Sequence, residues 1–535
     1  MLKRYPKFGS YACVALIGLF LAWYLFSLTK NQTFIHEEWT WLADRSHLSF
    51  HALLDDNFGH TSVVPVIFYL VIFHIFGLDS YEVFRLVLVF FHLAIIFFVF
   101  SFVRRRHGLI IGGSIATALA LLGTGAQNFI WTFQIGFVGG FLFFLIALRC
   151  LQRANNSLGL LWPIFTCLSV GLSVASAGTG LGSLAVILIL TLCGANRRRF
   201  WWVGIAPLAL YVVWYSQYGG QDSPTSALST IPGHVAHYGA AAMSGLFGVD
   251  QRWGWPMLGI VVILLLKSLR KQRFDLLPLS FLIFVLVFWL GTSYARGGSG
   301  GYGASRYVYV GAISLVLAIS ENVEPMLGKK PTRLRVTQSS VVIMAVLSIW
   351  GTHSELSNYQ RFHSAVGLSS AGRLVVAESH RDDIDGEATL VSFLGIQAIS
   401  ASGYFQTIDY FKSSPVAQFR DLAQAPRAVR FGADTLLFEF GFAAIDGPLE
   451  NNLVCVQLSL ADEPLLVLPG SRMDIVVTRT TTISAARFSS LNSKFPLPMQ
   501  QILRPGSYSI FLAADDLGGS LQTKFDDPTA VMTCD

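Results

Sequence analysis

Apolar residues run in near-continuous stretches through the first two-thirds of the chain, and after about Trp350 they give way to short runs broken by single charges. A hydrocarbon core about 30 Å thick is crossed by roughly 20 apolar residues in a helix. Stretches of that kind lie near 11–29, 85–103, 109–125, 135–151, 159–175, 179–195, 201–217, 255–267, 275–293, 305–321 and 337–352. The pattern therefore predicts a mostly α fold, a polytopic membrane protein with about eleven transmembrane helices, followed by a β-rich extracytoplasmic domain. One further apolar run, Thr61 to Leu78, is interrupted by Pro65, His74 and Gly77 and reads as a helix lying in the membrane surface.

Charge fixes the expected orientation. Lys3, Arg4 and Lys7 precede the first span, and further basic clusters follow at Arg104 to Arg106, Arg149 and Arg153, Arg197 to Arg199, Lys267 to Arg273 and Lys329 to Arg335. With Thr61 to Leu78 in the surface, every cluster falls on one side, which places the amino terminus in the cytoplasm and the carboxyl terminus outside. The segment from Tyr11 to Leu28 lacks a small-x-small cleavage pattern and reads as a retained signal anchor. Of 535 residues, 53% are hydrophobic and only 13% charged, so the net charge of +6 reports membrane orientation and no nucleic-acid partner.

Residues 1–352 thus form the expected membrane domain. A mixed α/β connector is expected over 353–427 and a β-sandwich-like outer domain over 428–535. Short strands are predicted at Leu374-Val375-Val376, 389–393, 435–440, 453–456, 473–477 and 507–512, each bounded by Pro, Gly, Asn or Asp turns. Of six cysteines, Cys13, Cys150, Cys167 and Cys193 fall in predicted spans, whereas Cys455 and Cys534 fall in the outer domain. An oxidising compartment favours a disulfide between those two.

The polar residues that invite chemistry are gathered on the outer face. Phe34-Ile35-His36-Glu37-Glu38-Trp39 follows the first span, and Asp55-Asp56-Asn57-Phe58-Gly59-His60 comes about one loop later. Carboxylates avoid hydrocarbon because desolvation is costly, so acids this close to a span mark either a water-filled site or a solvated loop. Gln134 lies in the loop between two spans. Arg296, a Gly-rich stretch, Arg306 and Tyr307 form another loop, whose glycines are costly to order without a partner. A lone arginine at a span end can also simply snorkel to the head groups. No zinc spacing, phosphate-binding Gly-Lys loop or nucleophile elbow is present, which disfavours soluble nucleotide-dependent chemistry.

Acids near the outer surface with an arginine at a span end suit group transfer from a lipid phosphate. A cation beside the donor phosphate, Arg306 or Arg296, would meet the charge of the leaving group. A carboxylate, Glu37 or Glu38, would take the proton of an acceptor hydroxyl. His36, Trp39, Asp55, Asp56, Asn57, His60, Gln134 and Tyr307 are the remaining site-lining candidates. The four acids could instead hold a divalent metal ion.

Glu37-Glu38-Trp39, Asn57 to Pro65, Ile75 to Tyr81, Arg85-Leu86, Trp131 to Phe137 and Ser305-Arg306-Tyr307 together resemble the GT-C glycosyltransferases. The branch they resemble is that of the protein O-mannosyltransferases and aminoarabinose transferases, including bacterial multi-pass members. The likeness covers about residues 10 to 320. It implies an inverting transferase of the bacterial inner membrane that moves a sugar from a polyprenyl-phosphate donor to a glycan, lipid or protein acceptor on the outer face. It also implies that Glu37 is the leading candidate for the base and that Arg306 meets the donor phosphate. The first acid is Glu where those families commonly have Asp, which moves the carboxylate by about one methylene. A transporter or flippase, a polymerase of lipid-linked saccharides and a non-catalytic scaffold are the competing readings. A transporter would carry ionisable or unwound positions within its spans, and those segments are nearly free of charge here.

Overall fold

The computed structural model describes residues 8–30, 32–45, 49–56, 59–194, 196–219, 226–270, 276–297, 301–320, 331–393, 396–449, 455–457, 464–491 and 497–534. In chain order the helices are α1 (Phe8–Leu28), α2 (Glu37–Asp44), α3 (Phe50–Leu54), α4 (Val63–Phe76), α5 (Tyr81–His107), α6 (Leu109–Ala120), α7 (Gln127–Ile130), α8 (Ile135–Asn155), α9 (Leu161–Val174), α10 (Thr179–Leu192), α11 (Arg197–Tyr218), α12 (Ile231–Gly245), α13 (Gln251–Arg270), α14 (Leu276–Arg296), α15 (Ser305–Ser320), α16 (Pro331–Ser379), α17 (Ala401–Phe411) and α18 (Arg427–Glu439). The fold is mostly helical with a β-rich carboxyl-terminal region, as the apolar pattern predicts. Every segment expected to span is helical. Among the described residues, four helices are long and apolar enough to cross a membrane: Tyr81–His107, Thr132–Asn155, Leu277–Arg296 and Leu334–Ser379. Shorter apolar helices accompany them, Val63–Phe76 among them.

The chain divides into two compact units. The first comprises Met1–Lys30, His47–Val71 and Glu82–Arg361, and the second Asn31–Ser46, Ile72–Tyr81 and Phe362–Asp535. The loop between the first span and α5 is therefore shared between them.

Within the first unit, apolar helices pack through aromatic and small residues. Phe144 and Phe284 stack with ring centroids 4.3 Å apart, and Phe141 meets Phe284 at 5.2 Å. Gly254 lets α13 close on α12, since a Cβ there would strike the Ala240 carbonyl. Two of the polar groups that these helices bury tie elements together. His92 on α5 bonds the Tyr309 hydroxyl at 2.8 Å and the Ala120 carbonyl at 3.1 Å through its two ring nitrogens, so one imidazole ties α5, α6 and α15. Arg85 is buried near the start of α5. Its Nε donates to Thr29 Oγ1 at 2.8 Å and an Nη to the Phe26 carbonyl at 2.7 Å, at the carboxyl-terminal end of α1, where the helix dipole welcomes a cation.

The second unit carries the sheets. Strands β1 (Thr389–Phe393) and β2 (Ile396–Ser400) form an antiparallel pair. The others are β3 (Ala443–Leu449), β4 (Cys455–Gln457), β5 (Leu465–Val467), β6 (Ser471–Val477), β7 (Thr481–Ala486), β8 (Met499–Leu503), β9 (Gly506–Leu512), β10 (Leu521–Phe525) and β11 (Val531–Cys534). They build a sheet in the order β5-β10-β7-β8 and another in the order β3-β9-β6-β11-β4. Cys455 and Cys534 lie opposite each other on β4 and β11 and are joined by a disulfide. Asp434 on α18 accepts the backbone N–H groups of Arg487, Phe488 and Ser489 at 3.0, 3.0 and 2.8 Å, and the buried Arg487 side chain pairs with Asp515.

Two expected strands are helical instead. Leu374-Val375-Val376 lies in α16, which runs unbroken from Pro331 to Ser379 past the loss of apolar character near Trp350. A three-residue apolar run has no period of its own, and the buried Ala371, Leu374, Val375 and Val376 follow helical spacing. Thr435 to Glu439 closes α18, whose buried Val429, Ala433, Leu436 and Leu437 make a helical stripe. The expected strand at 453–456 is observed only from Cys455, residues 453 and 454 being outside the described set.

Replacing Arg85 by Ala removes its bonds to the Phe26 carbonyl and the Thr29 hydroxyl, which among the described residues keep only each other and the Thr29 N–H, and it should cost on the order of 3 kcal/mol. Thermal unfolding of the detergent-purified protein should register the loss, and Arg85→Lys should recover only part of it.

Candidate active site

The acid pair sits in the second unit, and the backbone that carries it is held by aromatic packing. Phe34 is fully buried and meets Tyr81, Trp39 and Phe73 edge-on with centroids at 4.9, 5.6 and 5.9 Å. Trp39 continues the cluster to Tyr404 at 6.2 Å. His36, the residue before α2, has φ +50°, a conformation that costs a residue with a Cβ on the order of 1–3 kcal/mol and persists only where the surroundings impose it.

That turn separates the fates of the two acids. Glu38 is fully buried. Its Oε2 accepts the Ile35 backbone N–H at 2.9 Å, and the Tyr81 hydroxyl donates to the same carboxylate at 3.2 Å. Reaching back three residues to a free N–H is the geometry that closes a helix amino terminus, and the helix dipole adds to it. Glu37 is half-buried, and among the described residues no hydrogen bond or ion pair reaches its carboxylate. Of the pair, Glu38 holds the turn and Glu37 remains available.

His36 is flanked by Phe362, 6.5 Å between ring centroids, and lies within electrostatic reach of the buried His363. Burial lowers its pKa to about 4. The imidazole is therefore neutral at neutral pH.

The first unit holds the other candidates. Asp55 pairs with the exposed His51 at 3.4 Å. Asp56 Oδ2 accepts the Gly59 N–H at 2.9 Å in a turn where Gly59 takes φ +81°. Both acids serve their own loop. Asn57 lies outside the described residues. His60 is half-buried and meets Phe137 edge-on at 6.2 Å. Gln134 is buried at the start of α8, and its Oε1 has no hydrogen-bond partner among the described residues.

Arg296 ends α14 and Arg306 opens α15. The start of α15 is pinned by Ser305, whose Oγ accepts the Gln127 N–H at 3.0 Å and whose carbonyl accepts Asn128 Nδ2 at 3.2 Å. Arg306 lies over the Tyr307 ring at 5.1 Å, and no hydrogen bond or ion pair reaches its guanidinium among the described residues. Tyr307 meets Tyr238 at 5.3 Å, Tyr238 meets Tyr302 at 5.3 Å, and Tyr302 stacks on His237 at 4.9 Å. Burial, helped by the Tyr307 and Tyr302 phenols, pushes the Tyr238 hydroxyl pKa up, and the charges of Arg306 and Arg296 pull it down. The arginines thus face an aromatic wall that the sequence does not announce, because His237 and Tyr238 come from α12 and Tyr302 from the loop before α15, and their pairing has no local signal.

Among the described residues no group of three or more His, Cys, Asp or Glu side chains could hold a metal ion. No family model matches the chain, and no curated protein matches it. The chain is similar to a solved structure, ArnT from Cupriavidus metallidurans bound to undecaprenyl phosphate, at 13% identity, over 78% of this chain and 92% of that one, with a TM-score of 0.43. A likeness that distant concerns fold alone, and the functional reading rests on the residues.

Removing the Glu38 carboxylate by Glu38→Ala leaves the Ile35 N–H and the Tyr81 hydroxyl unsatisfied and should cost about 1–3 kcal/mol. Glu37→Gln should stay within about 0.5 kcal/mol of wild type, both read by thermal unfolding. His36 gives a pH dependence of definite sign. Its folded pKa, about 4, is below the ordinary value of 6.5, so its contribution to stability is complete above about pH 6.5 and declines as pH falls through 4. Stability measured from pH 7 to pH 4 should fall less steeply in His36→Asn than in wild type.

Proposed function

We propose that the chain is a membrane glycosyltransferase of the GT-C type. It moves a sugar from a polyprenyl-phosphate donor to a glycan, lipid or protein acceptor on the outer face of the bacterial inner membrane, in assembly of the cell envelope. The observation that carries this reading is the division of labour at 37 and 38, where one carboxylate is enclosed as a structural clamp and its neighbour, beside a strained turn, has no hydrogen bond or ion pair among the described residues. A general base needs an accessible carboxylate held in a fixed place, which is what this arrangement supplies.

In the proposed reaction Glu37 takes the proton of the acceptor hydroxyl, the oxygen attacks the anomeric carbon, and the bond from that carbon to the phosphate oxygen breaks. Inversion follows from the single displacement. The polyprenyl phosphate leaves with the bonding pair, and Arg306, aided by Arg296, meets its charge. Residues 1–352 are assigned to the membrane domain with the amino terminus cytoplasmic, 353–427 to a connector and 428–535 to an outer domain.

The test is transfer in native membranes or nanodiscs with a panel of radiolabelled polyprenyl-phosphate sugars. Glu37→Gln should reduce turnover by about 10²–10⁴-fold, and Arg306→Ala by about 10²–10³-fold, at matched expression and unchanged thermal stability. Wild type inert toward every donor, or Glu37→Gln indifferent, would replace this reading with a transporter or scaffold.

A further inference from the structure

A basic cavity of about 720 Å³ lies in the first unit, at the ends of α5 and α8. Arg104, Arg105 and Arg106 from the last turn of α5 line it, with Arg149 and Arg153 from the last two turns of α8. Among the described residues no acidic side chain lines it. Arg149 is half-buried, within electrostatic reach of Arg105 and Arg153, and it donates to the neutral Gln152 Oε1 at 3.2 Å. Arg153 lies over the Trp162 ring at 4.5 Å and Arg104 over Phe100 at 5.4 Å, so aromatic faces hold two of the guanidinium groups. Like charges gathered in one recess repel, and the helix carboxyl-terminal dipoles offset only part of that. The trio Arg105, Arg149 and Arg153 calls for an anion.

Apart from Ser101 and Gln152, the rest of the wall is apolar, Phe98, Phe102, Leu145, Phe281 and Leu317 among it. A cavity with a cationic rim and an apolar floor accommodates one kind of molecule in full, an anion carrying hydrocarbon. Its position agrees. Both helices belong to the group long and apolar enough to cross a membrane, and the arginines occupy the ends where lipid head groups would stand. The volume lies within the range of ordinary ligand sites. Leu317 is also eleven residues along α15 from Arg306, which at the helical rise is about 16 Å, so this recess and the Arg306 cluster are separate sites.

We propose that this cavity is a binding site for an anionic glycerophospholipid, with the head-group phosphate among Arg105, Arg149 and Arg153 and an acyl chain against the apolar floor. The site is independent of the transfer reaction and holds whether or not the chain is an enzyme.

The test uses the full-length protein, delipidated and reconstituted in phosphatidylcholine nanodiscs, then titrated with phosphatidylglycerol, with bound lipid counted by native mass spectrometry. Two variants remove equal charge. Arg149→Gln with Arg153→Gln empties the cavity rim, whereas Arg197→Gln with Arg198→Gln removes two arginines that do not line it. At about fivefold per basic residue, the cavity pair should weaken phosphatidylglycerol binding by an order of magnitude or more, and the control pair should change it less than about twofold. Equal losses in both pairs would mean diffuse surface attraction and overturn the site. Displacement of the lipid by millimolar inorganic phosphate would mean that the acyl chain is irrelevant, and would also overturn it. Should the cavity pair elute abnormally on gel filtration, the single change Arg105→Gln, at an exposed position, reads the same outcome.

Discussion

A carboxylate taken out of water must be hydrogen-bonded, and that requirement at Glu38 sets the geometry of the segment between α1 and α5. The group is enclosed within its unit, so its oxygens have to find donors there, and they find the Ile35 N–H and the Tyr81 hydroxyl. Those two donors lie forty-six positions apart in sequence, from 35 to 81. One side chain therefore joins the start of α2 to the start of α5, and the aromatic cluster of Phe34, Trp39 and Tyr81 closes around the bond. Low local dielectric strengthens such a bond as much as it penalises its loss. The strained φ at His36 is tolerable because the residues on both sides of it are fixed.

Much of this was legible in the sequence. The eleven apolar stretches were found as helices because their period is long and their composition leaves no alternative, and the pairing of Cys455 with Cys534 followed from their position outside the apolar runs. Short elements were not legible. Leu374-Val375-Val376 carries no period, and its helical state is decided by α16 continuing from Pro331. At the acid pair, the sequence showed two carboxylates side by side but not which was buried, since that depends on Tyr81, and no local rule relates residue 81 to residue 38. Asp55 and Asp56 show local partners that the sequence spacing allows, an (i, i+4) contact with His51 and a turn at Gly59.

Where a cation stands on a helix decides whether the helix dipole alone favours it. Arg104 to Arg106, Arg149 and Arg153 lie toward the carboxyl-terminal ends of α5 and α8, where the macrodipole favours positive charge. Arg85 is placed on the same logic, against the end of α1. These positions would be favourable in any membrane helix.

Arg306 is placed against that logic. It is the second residue of α15, whose first turn contains no acid, so a full positive charge stands at the positive end of the helix dipole. Stacking on Tyr307 offers about 0.5–2 kcal/mol in compensation, and the approach of Arg296 to the same Tyr238 phenol adds a second like charge. Helix packing gains nothing from this placement, and replacing Arg306 by an aliphatic residue would relieve the helix electrostatically. An anion bound there would make the arrangement favourable, because the guanidinium and the dipole would then act on it with the same sign. In the proposed transfer, a phosphate leaving with increasing negative charge is the species for which that sum grows, which is the condition for an interaction to accelerate a step as well as to bind a substrate.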